Sequence, residues 1–286
     1  MKVAFIGLGI MGSRMASRLA KHGIDISVYN RNHKKALELE VHGAKAMASI
    51  SECVADADVV FTMLSTPEVV DDVAFSEEGF VKAMQQGSIW VDCSTVDPAF
   101  SKRMYNESQK HGIIFVDAPV AGTKQPAELG ELVFLVGSEQ ERLAKVQPLF
   151  EVMGKKVNYL GEVGNGSSMK MLINLMLAQS MVAFSEAVHL GVGMGLDEQL
   201  VYQVLSNSPV TAPFLGVIKP KLEQKETSTN FPLKWMHKDL HLVSKVAYET
   251  GISMPSLSSA KEIFSQAKAA GHGDEDFSTI YHFTMK

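Results

Sequence analysis

A lysine and an asparagine stand one helical turn apart in an otherwise apolar stretch of the chain. The stretch reads "GNGSSMKMLIN" over residues 164 to 174 and places Lys170 four residues before Asn174. Residues four apart share one face of a helix, so the two side chains project together. Burial of an ammonium lowers its pKa toward the range in which it can both donate and recover a proton. The pair therefore suits proton transfer to a carbonyl oxygen.

Spacing alone leaves a second interpretation of Lys170 open. A lysine in an apolar helix can lay its stem over apolar surface while its ammonium stays in water, and this is the commoner arrangement. Other motifs have to decide between the two.

Three glycines near the N-terminus have the spacing of a dinucleotide-binding loop. "VAFIGLGIMGSRMASRL" puts Gly7, Gly9 and Gly12 in G-x-G-x-x-G order between a strand pattern and a helical one. In such a loop the first glycine allows a tight turn, the second lets the backbone approach a pyrophosphate, and the third allows close helix packing. The N–H groups at the helix start then bind the anion. The residues predicted to contact the cofactor are Gly7, Leu8, Gly9, Ile10, Met11 and Gly12.

The end of the second predicted strand indicates which dinucleotide binds. An NAD site usually carries an acidic residue there for the ribose 2′-OH, but "VYNRN" has Asn30 instead. Arg31, with Lys34 and Lys35 nearby, can form charge-assisted bonds to a 2′-phosphate. We therefore expect NADP(H), held in part by Asn30, Arg31 and Lys34; a solvated helix start is the alternative.

The elements that must position these residues follow from the hydrophobic pattern. In the first half, β-rich runs alternate with helical patterns, which predicts a mostly parallel, doubly wound sheet. The predicted strands are "KVAFIG", "DISVYN", "VVFTML", "SIWVDCS", "IIFVDAPV", "LVFLVG" and "KKVNYLG", and the predicted helices cover 11–22, 33–41 and 98–111, with a further segment through "VVDDVAF". From about Gly164 onward the chain reads helical.

Two domains are predicted from this change of pattern. We expect an α/β fold with a Rossmann-type NADP-binding domain over residues 1–163 and an all-helical domain over 164–286. A long helix over 164–192 joins them. Because this helix is apolar on nearly all sides, we expect other elements to enclose it.

Composition excludes several classes of protein. The 286 residues carry a formal net charge of -5 and are 46% hydrophobic, so neither nucleic acid nor a membrane is an expected partner. The two cysteines form no disulfide framework, and "MKVAFIG" is too short for a signal-peptide core, so we expect a cytoplasmic protein. No histidine pattern indicates a metal site.

Four blocks of sequence give the chain a family resemblance over almost its full length. They are "GLGIMG" at the N-terminus, "DAPVAGTKQPAELGEL" at 117–132, "GNGSSMKMLIN" at 164–174 and "HKDLHL" at 237–242. With these blocks the chain resembles the β-hydroxyacid dehydrogenase family, and within it the glyoxylate and succinic semialdehyde reductases, which use NADPH.

The resemblance implies a role for each matching residue. Lys170 corresponds to the proton donor or acceptor and Asn174 to its assistant. The implied additional cofactor contacts are Met63, Leu64, Thr95 and Lys238. The implied substrate contacts are Ala121, Gly122, Thr123, Phe231 and Asp239. Assembly of the family through its helical domain implies a homo-oligomer, either a dimer or a tetramer.

One residue departs from the family pattern. Ala121 stands where the substrate block usually has serine. The missing hydroxyl removes one hydrogen bond to a substrate carboxylate, which is a loss of about 1.5 to 3 kcal/mol for a charged acceptor if nothing replaces it. The N–H groups of Gly122 and Thr123, or the Thr123 hydroxyl, can partly compensate.

The expected function is NADPH-dependent reduction of small aldehyde acids to hydroxy acids, succinic semialdehyde to 4-hydroxybutyrate or glyoxylate to glycolate. One alternative is a dehydrogenase of the 3-hydroxyisobutyrate or tartronate semialdehyde type, for which Asn30 and Arg31 are unfavourable. A second is a catalytically silent NADP-binding scaffold. Silent relatives lose the lysine that this chain keeps at position 170.

Overall fold

The chain divides into two compact units. The computed structural model describes residues 1–139, 143–223 and 229–285. The units are Met1–Met171 and Leu172–Lys286. The division falls within a single helix, Asn165–Gly193, so this helix contributes residues to both units.

The first unit contains a six-stranded parallel sheet and a smaller sheet. The strands are β1 (Lys2–Ile6), β2 (Asp25–Tyr29), β3 (Lys45–Ala46), β4 (Val59–Thr62), β5 (Ile89–Asp92), β6 (Ile114–Asp117), β7 (Val120–Ala121), β8 (Leu132–Val136) and β9 (Gly154–Tyr159). The large sheet has the order β3-β2-β1-β4-β5-β6. β2 and β3 lie on one side of β1, and β4, β5 and β6 lie on the other, which confirms the predicted Rossmann-type fold. In the smaller sheet β7 is antiparallel and β9 parallel to β8.

Helices cover the sheet in the first unit and make up the second. Those of the first unit are α1 (Gly12–Lys21), α2 (Lys34–Leu37), α3 (Ile50–Val54), α4 (Pro67–Phe75), α5 (Pro98–Lys110), α6 (Lys124–Leu129) and α7 (Gln147–Met153). After them come α8 (Asn165–Gly193), α9 (Glu198–Ser206), α10 (Phe214–Glu223), α11 (Leu233–Thr250), α12 (Pro255–Ala269) and α13 (Ile280–Phe283). The predicted change to helix near Gly164 is confirmed.

Both faces of the large sheet are buried, which explains its continuous apolar strands. Successive side chains of a strand point to opposite faces. Val3 and Phe5 of β1 therefore enter one apolar cluster, and Ala4 and Ile6 enter the other. A parallel sheet covered on both sides needs such runs. The carboxyl ends of these strands are consequently fixed on a rigid, close-packed core.

The long helix α8 is less enclosed than expected. Its buried positions recur every three or four residues, but Leu172, Met176 and Leu190 are 52%, 63% and 65% exposed. The expectation that other elements of the chain enclose the helix on nearly all sides was therefore wrong. By length and composition alone α8 could cross a membrane, but half of its most apolar window is buried.

Two predicted elements differ from those in the structure. The helix predicted over 33–41 is the short α2 followed by a 3₁₀ turn at Glu40–His42, because only Ala36 and Leu39 of this segment are buried. The run "IIFVDAPV" is divided between β6 and β7, which belong to different sheets. β3 is only two residues long and shows no sequence period.

Candidate active site

The glycine loop between β1 and α1 combines two packed glycines with one that faces open space. Gly7 has a φ of +96°, and a Cβ there would lie 2.5 Å from the Met63 carbonyl oxygen. A Cβ on Gly12 would lie 1.9 Å from the Gly7 oxygen, whereas one on Gly9 would meet nothing within 4 Å. The protein's own packing thus requires Gly7 and Gly12. Gly9 leaves room for a ligand, as the fingerprint predicts.

Asn30, directly after β2, braces this loop. Its Oδ1 accepts a hydrogen bond of 3.0 Å from the Leu8 N–H, and its Nδ2 donates at 3.0 Å to the Asn32 carbonyl. Arg31 and Lys34 are exposed beside it. Asn30 therefore shapes the loop through these two bonds. It also lacks the negative charge of the acidic residue usual in NAD sites.

A buried hydrogen-bond network holds the ends of β4 and β5. Asp92 Oδ1 accepts bonds of 2.8 Å from the Thr62 hydroxyl and 3.1 Å from the Ser94 N–H. The Ser94 hydroxyl in turn accepts a bond of 2.9 Å from the Leu64 N–H. The predicted cofactor residues Met63 and Leu64 follow β4 directly, and Thr95 comes three residues after the end of β5, so all three lie beyond the same edge of the sheet.

The predicted substrate turn leads from β7 into α6. Ala121 ends β7, half-buried, opposite Val133 of β8. Gly122 has a φ of +127°, and a Cβ there would lie 2.8 Å from a Leu132 methyl carbon, so glycine is required. Thr123 precedes α6, but its side chain makes no capping hydrogen bond. Its hydroxyl is therefore not engaged by the helix it precedes.

The helix after the substrate turn is fastened to the helix after the glycine loop. Arg14 of α1 donates to Glu128 of α6 at 2.6 Å and to the Ile10 carbonyl at 2.7 Å. Arg18 donates to the Val152 carbonyl at 2.9 Å. The glycine loop and the substrate turn are thus connected through α1 and α6.

In the second unit, Asp239 brings three of the predicted residues together. Asn174 is buried and donates from Nδ2 to Asp239 Oδ2 at 2.6 Å, and Lys238 Nζ lies 2.8 Å from Asp239 Oδ1. The Asn174 amide thus presents its nitrogen to the carboxyl group of Asp239. Its oxygen is then turned away from Asp239 as an acceptor. Lys170, half-buried, lies one turn earlier on the same helix.

Phe231 is held separately by Asp276. The N–H of Phe231 donates to Asp276 Oδ2 at 3.2 Å, and its ring lies 5.9 Å from that of Phe277. Burial favours a higher pKa for Asp276, but Lys221 and hydrogen bonds from Ser278 and Asn230 outweigh it and hold this pKa below its usual value. The ion pair between Lys221 and Asp276 therefore helps to fix the loop that carries Phe231.

Three buried aspartates support the predicted site but were not identified from the sequence. They are Asp92, Asp117 and Asp276. Asp92 and Asp117 each end an apolar strand, in "IWVD" and "IFVD". A charged residue in that position must find partners, which is the signal that could have marked it. Among the described residues, no cluster of three or more His, Cys, Asp or Glu could hold a metal ion.

Two family models match almost the whole chain. Residues 2–161 match the NAD binding domain of 6-phosphogluconate dehydrogenase. Residues 164–284 match the model described as NAD-binding of NADP-dependent 3-hydroxyisobutyrate dehydrogenase.

Three related proteins match nearly the full length of this chain. The chain is 38% identical over 278 residues to glyoxylate/succinic semialdehyde reductase 2, chloroplastic, of Arabidopsis thaliana, covering 97% of this chain and 78% of that protein. It is 34% identical to the mitochondrial 3-hydroxyisobutyrate dehydrogenase of Homo sapiens, with 98% and 86% covered. The solved Mycobacterium tuberculosis 3-hydroxyisobutyrate dehydrogenase with L-serine has a TM-score of 0.90 at 29% identity, covering 100% and 99% of the two chains.

Proposed function

Because the chain belongs to the β-hydroxyacid dehydrogenase family, we propose that it is an NADPH-dependent reductase of small aldehyde acids such as succinic semialdehyde and glyoxylate. Its relatives are named as reductases and dehydrogenases of such aldehyde and hydroxy acids. The observation that carries the proposal is Lys170 on α8 one turn before Asn174, whose amide Asp239 orients.

The glycine loop fits the proposed cofactor. Open space over Gly9 suits the close approach of a pyrophosphate, and α1 begins at Gly12, so the positive end of its dipole lies at the same loop. Arg31 is exposed and adds a guanidinium that can bind a 2′-phosphate. Support for NADP over NAD comes from Arg31 together with the NADP-dependent family model that matches residues 164–284.

Each site residue has a distinct task in the proposed reaction. The bound cofactor supplies a hydride to the carbonyl carbon of the substrate. Lys170 donates a proton to the carbonyl oxygen, which avoids leaving an alkoxide in the site. Asn174 uses its amide oxygen to orient the ammonium or the product hydroxyl. Gly122 and Thr123 hold the carboxylate through their N–H groups and the Thr123 hydroxyl.

A substrate panel tests the proposed function directly. Loss of NADPH absorbance is followed with succinic semialdehyde, glyoxylate, tartronate semialdehyde and methylmalonate semialdehyde, with NADH in parallel. We expect turnover of succinic semialdehyde or glyoxylate and a preference for NADPH. A larger rate of NAD⁺ reduction with 3-hydroxyisobutyrate would favour a dehydrogenase like the human relative. Cofactor binding without any turnover would favour a silent scaffold.

Cofactor preference is expected to depend on Arg31. Arg31→Leu should lower kcat/KM for NADPH by roughly 10- to 100-fold, because a charge-assisted hydrogen bond contributes about 1.5 to 3 kcal/mol. The value for NADH should stay within about twofold, since NADH has no 2′-phosphate. Lys21→Leu, at the exposed end of α1, is the control. An equal loss with both cofactors would contradict a contact with the 2′-phosphate.

Substrate affinity is expected to respond to position 121. Ala121→Ser restores a hydroxyl at the predicted carboxylate turn and should lower KM for succinic semialdehyde by about tenfold, at the lower end of the contribution of such a bond. Reduction of an uncharged aldehyde of similar length is the control and should not improve. If KM for the aldehyde acid is unchanged or higher, the turn does not bind the carboxylate in the proposed way.

The exposed apolar side chains of the helical unit support assembly into a homo-oligomer. Leu190, Met194, Leu196, Leu200 and Val204 are each more than half exposed in the single chain. All five fall within residues 190–204, and exposed apolar side chains that are grouped in this way are typical of a protein interface. Light scattering after size-exclusion chromatography should therefore give a mass of at least twice 31.2 kDa, and a monomer at micromolar concentration would contradict this proposal.

A further inference from the structure

The first turn of α8 is anchored to a buried carboxylate at the end of β6. Asp117 is 1% exposed. Its Oδ1 accepts a hydrogen bond of 2.9 Å from the Gly164 N–H. Its Oδ2 accepts bonds of 2.9 Å from the Ser167 N–H and 3.3 Å from the Ser167 hydroxyl. One side chain thus satisfies three donors at the start of this helix.

Glycines on both adjoining segments leave space for this carboxylate. A Cβ on Gly137 would lie 2.2 Å from Asp117 Oδ1, and one on Gly166 would lie 2.9 Å from Oδ2 and 2.3 Å from the Leu135 carbonyl oxygen. Larger residues at either position would displace the carboxylate or the helix. The helix start is therefore packed closely against the end of β6, with little freedom to rotate.

A second contact ties the same turn to α5. The hydroxyls of Ser101 and Ser167 lie 2.8 Å apart, and both side chains are fully buried. The neighbouring Ser168 differs, because among the described residues its hydroxyl donates to the Gly164 carbonyl, directly before its own helix, and not to Asp117 or α5. Adjacent serines thus provide one residue that anchors the helix and one that does not.

The three hydrogen bonds to Asp117 favour its ionised form. Burial raises the pKa of Asp117 to about 6, against hydrogen bonds from Gly164 and Ser167 that lower it. At neutral pH the group is therefore mainly a carboxylate, which accepts from all three donors. A negative charge at a helix N-terminus is also favoured by the helix dipole.

We propose that Asp117 is a positioning residue for the reaction, because it fixes the start and rotation of the helix that carries Lys170. Lys170 follows Ser167 by three residues, less than one turn. A small rotation of this turn would move the ammonium relative to the substrate. The inference rests on the proposed role of Lys170 as proton donor.

Steady-state kinetics of Asp117→Asn, Ser167→Ala and Ser168→Ala test the proposal. In Asp117→Asn the side-chain amide N–H groups would face either the Gly164 N–H or the Ser167 N–H and hydroxyl, all of which are donors. The helix start should shift, and kcat should fall on the order of 10²-fold, the loss that a misplacement of about 1 Å can cause. Ser167→Ala should lose less, roughly 3- to 10-fold, and Ser168→Ala should match the parent within twofold. KM and the Kd for NADPH should change little. The solvent deuterium isotope effect on kcat should rise in Asp117→Asn, because proton transfer becomes slower.

The outcomes separate this inference from the proposed function. Amide hydrogen exchange at 164–168 should be faster in Asp117→Asn and Ser167→Ala than in Ser168→Ala, whether or not any aldehyde acid turns over. Exchange that is unchanged overturns the anchor itself. Faster exchange with unaltered kcat and isotope effect overturns the positioning role. If Asp117→Asn does not fold, the two serine variants decide the result by the same measures. Absence of turnover in the parent contradicts the proposed function alone.

Discussion

Replacing Lys170 by alanine is expected to lower kcat by about 10²- to 10⁴-fold, the range that general acid catalysis supplies, while the Kd for NADPH stays within about threefold. The alanine removes the proposed proton donor, so charge would develop on the carbonyl oxygen without neutralisation. Lys170 is half-buried, and shortening it to alanine takes away a charge without leaving an unpaired polar group in its place, so the fold should stay stable. Stopped-flow reduction of succinic semialdehyde measures the loss, and fluorescence titration measures NADPH binding.

Two additions make this result specific to the ammonium. Lys110→Ala, on an exposed lysine of α5, is the control for removal of positive charge and should keep parental kcat. Small primary amines added to Lys170→Ala should restore part of the rate, increasing with the concentration of the protonated amine. Normal turnover by Lys170→Ala would refute the assignment. A loss of NADPH binding in proportion to kcat would instead indicate a role in the cofactor site.

Substitutions of two glycines in the same loop are expected to have opposite consequences. A Cβ on Gly9 meets nothing within 4 Å, so Gly9→Ala should fold with an unchanged Tm in the absence of cofactor. The methyl group would occupy the space predicted for the pyrophosphate. The Kd for NADPH should then rise at least about tenfold, equivalent to about 1.4 kcal/mol.

Gly12→Ala should mainly lower the stability of the folded protein. Its Cβ would lie 1.9 Å from the Gly7 carbonyl oxygen, and backbone cannot move as cheaply as a side chain. Overpacking of this kind typically lowers the free energy of unfolding by about 1 to 3 kcal/mol. Gly193→Ala, also in open space but at the far end of α8, is the control for both measurements. If Gly9→Ala binds NADPH normally, the loop does not hold the pyrophosphate as predicted.

The parts of the site that the sequence predicts are those determined by local spacing. The glycine fingerprint places its loop because turn, anion binding and helix start all depend on neighbouring residues. Lys170 and Asn174 share a helix face for the same reason. These predictions need only the period of the element that contains them.

Contacts between distant segments could not be predicted in this way. Asp117 meets Gly164 across 47 positions, and Asn174 meets Asp239 across 65. The sequence pattern marks each as polar in an apolar setting, but not which segment supplies the partner. The separate sheet of β7, β8 and β9 likewise depends on pairing that no local period encodes. Exposure along α8 was misjudged because apolar residues give no indication of whether the same chain covers them.

The two hydrogen bonds that Asn30 makes in the glycine loop determine which mutations at this position the loop can accept. Aspartate offers the same acceptor oxygen to the Leu8 N–H that asparagine uses in this loop. Codons for the two residues differ by a single base, so a carboxylate typical of NAD sites is one mutation away. It would keep the bond from the Leu8 N–H but lose the bond that Asn30 Nδ2 donates to the Asn32 carbonyl. The proposed preference for NADPH would therefore depend less on position 30 than on Arg31, which is exposed beside it.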